Sequence, residues 1–314
     1  MFRVILTVTL DTVLDVTHRL GGPLVPGAVH RVPEVVERPW GGGLGAARVL
    51  AALGRPVTAL GFAGGTTGEL VRRHLAAVEG PLTEALLPVG GATRRTVTVV
   101  EPDGGVTVLD GPGPTVTPAE WAALLDAYRD LLEEAEAVAL CGGLPHGLPV
   151  GSYADLVREA RGRGVPVLLG AGGEALRRGV AARPDVLAPG RGELARLTGS
   201  TEPEPAAQDA RRRGARAVVV PAGAGRMLAV TAEGSWCASV TGRPAAGAVP
   251  PADGPAGADD GVVAGLLAGL ADGLDWPGRL AGALALSAAS AADRTGRGAR
   301  ARALPEVDVR PCPH

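Results

Sequence analysis

Two adjacent carboxylates, Asp259 and Asp260, stand where a small-residue loop runs into an apolar helix in the segment PAGADDGVVAGLLAGL, residues 255–270. The first N–H groups of a helix have no intrahelical acceptor and its dipole adds partial positive charge, so a phosphate can be held there with a carboxylate beside it. One carboxylate in that place can take a proton from a substrate hydroxyl. A second one repels the phosphoryl group that the hydroxyl would attack. Asp260 as general base therefore stands against Asp260 as a helix cap, and Asp259 reads as a solvent-facing loop charge.

A second candidate is the run Gly41, Gly42, Gly43 with Gly45, which follows Trp40. It completes neither the P-loop pattern nor the spaced dinucleotide fingerprint, so close packing and ligand approach explain it equally. The five histidines show no metal-ligand spacing, and no metal site is expected. Cys141, Cys237 and Cys312 are far apart with no C-x-x-C pair. That spacing indicates neither a disulfide framework nor zinc and fits a reducing cytoplasm.

These residues need a scaffold, and 314 residues suffice for one large α/β domain. A formal charge of −2 with dispersed arginines argues against nucleic acid or an anionic membrane as partner and for a small-molecule ligand. Residues 2–10 read as an opening strand rather than a signal peptide. Residues 43–54 read as a helix with a Gly stop, followed by the apolar run 57–62. Further apolar runs at 96–101, 137–141, 165–169 and 217–220 alternate with helices, including 118–135, 150–163, 174–182 and 206–213. The alternation predicts a mostly parallel sheet covered on both faces. Residues 11–38 and 94–110 break the rhythm; the second reads as strand, Asp-Gly turn, strand, and together they predict a small β lid. The run 242–257 reads as loop and the Arg-rich tail from 294 as peripheral. The chain has no lysine and no asparagine, a pattern that suggests a GC-rich coding sequence.

In this order the segments VILTVTL with Asp15, WGGGLGAARVLAALG, GFAGGTTGE, ATRRTVTVVEPDG, CGGLPHGLP, APGRGEL and GADDGVVAGLLAGL resemble the PfkB branch of the ribokinase-like carbohydrate kinases, especially the 1-phosphofructokinase and tagatose-6-phosphate kinase group. The resemblance covers nearly the whole chain. It implies a Rossmann-like, ribokinase-like α/β domain over 1–314 with a lid at about 11–38 and 94–110. It also implies ATP with Mg²⁺ and γ-phosphoryl transfer to a hydroxyl of a phosphosugar. By resemblance Asp260 is the catalytic base, Gly257, Ala258 and Asp259 form the anion hole, and Glu193 and Gly223 face the cofactor. Asp15, Gly41, Gly42, Gly43 and Arg94 contact the substrate, and the lid joins two copies into a homodimer.

Several positions depart from the family pattern. Gly42 and Gly45 stand for its Lys and Asn, Gly190 for the Asn of Asn-x-x-Glu, Gly143 for a Ser, Gly170 for an Asp, and Asp259 for the second anion-hole Gly. Each lost charge-assisted hydrogen bond costs about 1.5–3 kcal/mol. The expectation is a degenerate phosphotransfer site, that is, a pseudokinase acting as a ligand-binding, regulatory or repurposed protein whose cofactor is unknown. The alternative is an active ATP-dependent kinase using Asp260, with Arg95 or Arg191 gripping phosphate from new positions. A third reading is different chemistry with Asp259 and Asp260 as an acid/base pair.

Overall fold

The computed structural model describes residues 4–223, 225–241, 260–292 and 304–312. Gly257, Ala258, Asp259 and the whole 242–257 run lie outside the described residues. The chain opens with β1 (Val4–Thr9), an apolar, β-branched run that is buried nearly throughout, as an inner parallel strand should be. β2 (Val13–Arg19) and β3 (Glu34–Trp40) follow, and Trp40 leads almost at once into α1 (Gly42–Ala52). β4 (Val57–Ala63), α2 (Gly65–Ala76) and β5 (Leu82–Pro88) precede β6 (Arg94–Val100) and β7 (Val106–Asp110). Alternation resumes with α3 (Pro118–Leu132), β8 (Ala135–Gly142), α4 (Ser152–Gly162), β9 (Val167–Ala171) and α5 (Gly173–Ala181). Next come β10 (Val186–Leu187), α6 (Arg191–Thr198), α7 (Pro203–Arg213) and β11 (Ala217–Gly223). β12 (Arg226–Val230), β13 (Ser235–Val240), α8 (Asp260–Ala271), α9 (Trp276–Ala292) and β14 (Val307–Pro311) complete the described elements.

The large sheet has the order β14-β13-β12-β11-β10-β9-β8-β1-β4-β5. It is parallel from β5 to β11 and antiparallel from β11 to β14. The chain moves from β1 to β4 on one side and returns to β8 on the other, so the strand order reverses at the β1–β8 pair. A crevice opens beyond the carboxyl ends of the strands at such a reversal, which is where open α/β sheets bind ligands. The small sheet, β3-β2-β6-β7, is built from the two stretches that broke the rhythm. Its Asp103-Gly104 turn is closed by the Glu101 N–H donating to Gly105 O at 2.8 Å.

Helix α8 is apolar all round because it is covered all round, by α1 on one side and α9 on the other. Gly261, Gly265 and Gly269 recur every fourth residue and form a flat strip against α9. A Cβ on Gly261 would lie 2.5 Å from Leu286 C, one on Gly265 2.5 Å from Ala283 Cα, and one on Gly269 2.8 Å from Arg279 Cγ. The obstacles at 261 and 265 are backbone, so neither can be relieved by a rotamer change. Gly265→Ala is expected to lower unfolding stability by about 1–3 kcal/mol through overpacking. An unchanged urea midpoint would show that the two helices separate freely.

The antiparallel edge departs from two expectations. Residues 307–311 of the tail form β14, paired with β13, because their alternating valines supply a half-buried strand. Cys237 of β13 is also joined to Cys312, with a Cα–Cα distance of 5.2 Å across 75 residues. Sequence spacing could not show this pair, since adjacent strands bring together residues far apart in the chain. Cys141 is the free cysteine among the described residues and is fully buried. Its thiol is pushed up to about 12, first by burial and then by the Asp260 carboxylate. It stays protonated at pH 8 and is no nucleophile. Thiol titration at pH 8 is expected to find none in native protein, one after denaturation and three after denaturation with reduction. Two or more thiols before reduction would refute the bridge. No helix among the described residues is long and apolar enough to cross a membrane.

Candidate active site

Three elements converge on the crevice at the β1–β8 reversal: the first turn of α1, the first turn of α8 and the small sheet. Gly41 precedes α1 at φ 119°, a conformation that L side chains rarely adopt. Its carbonyl accepts from the N–H groups of Leu44 (2.8 Å) and Gly45 (3.2 Å). Gly43 rests on β1, where a Cβ would lie 2.5 Å from Thr9 Oγ1 and 3.0 Å from Val8 O. The helix therefore starts directly over the end of the first strand, a distance that only glycine permits.

Asp260 begins the described part of α8, and its carboxylate occupies the space beside Gly45. A Cβ on Gly45 would collide with that carboxylate. The same carboxylate acts on the Cys141 thiol at the end of β8. Asp260 thus lies over the carboxyl edge of the sheet, between Gly45 and the end of β8.

Asp15 on β2 is 1 % exposed, and both of its oxygens are engaged. Thr98 Oγ1 donates to Oδ1 at 2.6 Å, Thr17 Oγ1 donates to Oδ2 at 2.6 Å, and Arg38 Nε lies 3.4 Å from Oδ2. Arg94 on β6 is not paired with Asp15. It forms ion pairs with Asp11 and, at 2.7 Å, with Asp110. Arg95 faces Glu37 at 3.4 Å. Glu193 on α6 reaches the start of α5, accepting from the Gly173 N–H at 2.9 Å and from Arg196 at 2.5 Å. Gly223 ends β11 at φ 126°, with open space where a Cβ would be. Asp11, Asp110 and Tyr153 were not singled out in the sequence. Tyr153 donates to Cys141 O at 2.7 Å, holding the end of β8. The signal for Asp11 was its place immediately after the first strand of an alternating fold.

Among the described residues no group of three or more His, Cys, Asp or Glu side chains could hold a metal ion by itself. Mg²⁺ keeps several waters and takes phosphate oxygens with one or two carboxylates rather than a protein cage. The hard oxygens of Asp260 and Glu193 and the unobstructed end of β11 at Gly223 fit a magnesium–nucleotide complex. A depression of about 680 Å³ between α3 and α4 lies elsewhere. It is lined by Arg129, Glu159 and Arg163, which pair with one another.

Residues 7–301 match the model of the pfkB family of carbohydrate kinases. The chain belongs to this family. It is 36% identical over 293 residues to the 1-phosphofructokinase of Rhodobacter capsulatus, with 90% of each chain covered. This PfkB chain also superposes on a possible 1-phosphofructokinase from Thermotoga maritima with a TM-score of 0.82 at 23% identity, covering 99% and 100% of the two chains, a likeness of fold. Phosphofructokinase-2 of Escherichia coli in complex with fructose-6-phosphate gives 0.78 at 26% identity, covering 93% and 94%. These relatives overturn the expectation of a degenerate, regulatory pseudokinase, because an enzyme of the phosphofructokinase type is matched along nearly the whole chain. The geometry at Gly45 supplies a physical reason. Its missing side chain is no vacancy, because the Asp260 carboxylate fills that space.

Proposed function

We propose that this PfkB protein is an ATP-dependent kinase that transfers the γ-phosphoryl group to a hydroxyl of a sugar or sugar phosphate, with Asp260 as general base. The observation that carries the reading is the Asp260 carboxylate lodged beside Gly45 over the reversal of strand order. There it meets an incoming hydroxyl and takes its proton as the oxygen attacks. When bound, the magnesium–nucleotide complex supplies the phosphoryl group and neutralises its charge. Asp15 and Arg94 orient the acceptor from the small sheet, and the turn at Gly41, Gly42 and Gly43 lets backbone approach it. Glu193 would hold the metal through water and Gly223 would border the nucleotide; the anion-hole positions Gly257, Ala258 and Asp259 lie outside the described residues.

The small sheet serves as a lid over the crevice, and its exposed Val35 and Leu109, which share the face opposite Asp15, support a homodimer through this sheet. ATP dependence suits a cytoplasmic enzyme. The test is ADP release by purified protein with Mg²⁺–ATP and a panel of hexoses, ketoses and their monophosphates. Acceptor-dependent ADP release is expected. Folded protein that turns over no acceptor would defeat the reading.

A further inference from the structure

The chain has two tyrosines, Tyr128 on α3 and Tyr153 on α4, and both are fully buried. Burial pushes both phenols above their ordinary value, so each stays protonated and able to donate. Their partners differ. Tyr128 donates to Leu156 O at 3.1 Å and joins α3 to α4. Tyr153 instead reaches the end of the large sheet, where its hydroxyl meets three backbone groups. It lies 2.7 Å from Cys141 O and 3.2 Å from Gly143 O, and the Leu10 N–H faces the same oxygen from just beyond β1.

One hydroxyl thus ties β1 to β8 at the pair where the strand order reverses. Between its two carbonyl partners stands Gly142 at φ 92°, so the chain leaves the sheet through a conformation that L side chains rarely adopt. The same turn carries Gly143 against Asp11, whose Oδ2 would lie 3.3 Å from a Cβ there. The phenol works from the far face of the sheet. Tyr153 belongs to the apolar cluster of Leu6, Val8 and Leu140, whereas the Cys141 side chain belongs to the opposite cluster with α1 and α8, in the field of the Asp260 carboxylate. Buried backbone groups that lose a partner are costly, so without this hydroxyl the strand ends would shift to find others. Such a shift moves the floor of the crevice without altering any group that meets a substrate.

From this geometry we infer that Tyr153 is a positioning residue for phosphoryl transfer, its hydroxyl locking the ends of β1 and β8 and so fixing the crevice floor opposite Asp260. The inference rests on the kinase reading and adds to it a residue that acts only through the backbone. Tyr128 is the natural control, an equally buried phenol whose carbonyl partner lies between two helices and not at a strand end.

The test sets Tyr153→Phe beside Tyr128→Phe, measuring urea unfolding, steady-state kinetics with Mg²⁺–ATP and the best acceptor of the sugar panel, and amide hydrogen exchange. Both substitutions keep the ring and remove one buried hydroxyl, so both should lower the urea midpoint by similar amounts. Tyr153→Phe alone should lower kcat, by at least about 10-fold, since misplacing a catalytic group by about 1 Å costs on the order of 100-fold. KM for ATP should stay as in wild type, because β11 and Gly223 lie on the far side of β9 and β10. A merely structural hydrogen bond would cost stability without this split between kcat and KM. Exchange should quicken in peptides spanning 8–12 and 139–145 in Tyr153→Phe alone. An unchanged kcat in Tyr153→Phe, or an equal fall in Tyr128→Phe, overturns the inference. If wild type turns over no acceptor, the kinase reading fails by itself, and exchange decides whether Tyr153 holds the crevice floor. Faster exchange confined to Tyr153→Phe then supports that hold; exchange equal to wild type, or equal in the two variants, overturns it.

Discussion

Asp260→Asn should lower kcat by about 10²–10⁴-fold while leaving the unfolding midpoint nearly unchanged. Asparagine caps a helix start about as well as aspartate and has the same shape, so the fold loses little. It cannot take a proton from a hydroxyl, so the chemical step loses its base. This substitution therefore separates the two roles that a carboxylate at the head of α8 can have. Steady-state kinetics beside urea unfolding reads both. A loss of stability with kcat intact would assign Asp260 to capping alone. The measurement also decides against Asp259, which lies outside the described residues: if Asp259→Asn causes the larger fall in kcat, the neighbouring carboxylate is the base.

Gly45→Ala is the second large effect, and it acts through position rather than charge. The new Cβ would collide with the Asp260 carboxylate. The obstacle is the end of a side chain, so it can swing aside, and the stability cost should stay within about 1–3 kcal/mol. The chemical cost is larger, because displacing a catalytic group by about 1 Å can lower the rate on the order of 100-fold. kcat is expected to fall at least about 10-fold with KM for ATP little changed. Gly45→Asn, which returns the side chain usual in the family, should fall further rather than restore activity. Unchanged or raised kcat in either variant would show that the carboxylate works from another position.

The glycines show how far a sequence can mislead. Read along the chain, Gly42, Gly45 and Gly143 are positions where a polar side chain has disappeared, and the sum of those losses predicts an inactive protein. In three dimensions Gly45 accommodates the Asp260 carboxylate, and a Cβ on Gly143 would press on Asp11 Oδ2 at 3.3 Å. A missing side chain is visible in a sequence, but the atom that fills its space comes from elsewhere in the chain. Asp11 was overlooked for the same reason. One carboxylate after a strand is unremarkable until Arg94 and Gly113, from distant segments, arrive beside it.

The sequence by itself determined the α/β alternation, the small sheet with its Asp-Gly turn, and the order of motifs that marks the family. Each of these is local: a hydrophobic period, a turn dipeptide or a helix start is written within about a dozen residues. Only the tertiary structure decided that Arg94 pairs with Asp11 and Asp110 rather than Asp15, that Cys237 meets Cys312, and that residues 307–311 close the sheet edge. These partners are tens of residues or more apart or lie on different strands. Their meeting depends on strand order and register, which no local pattern encodes.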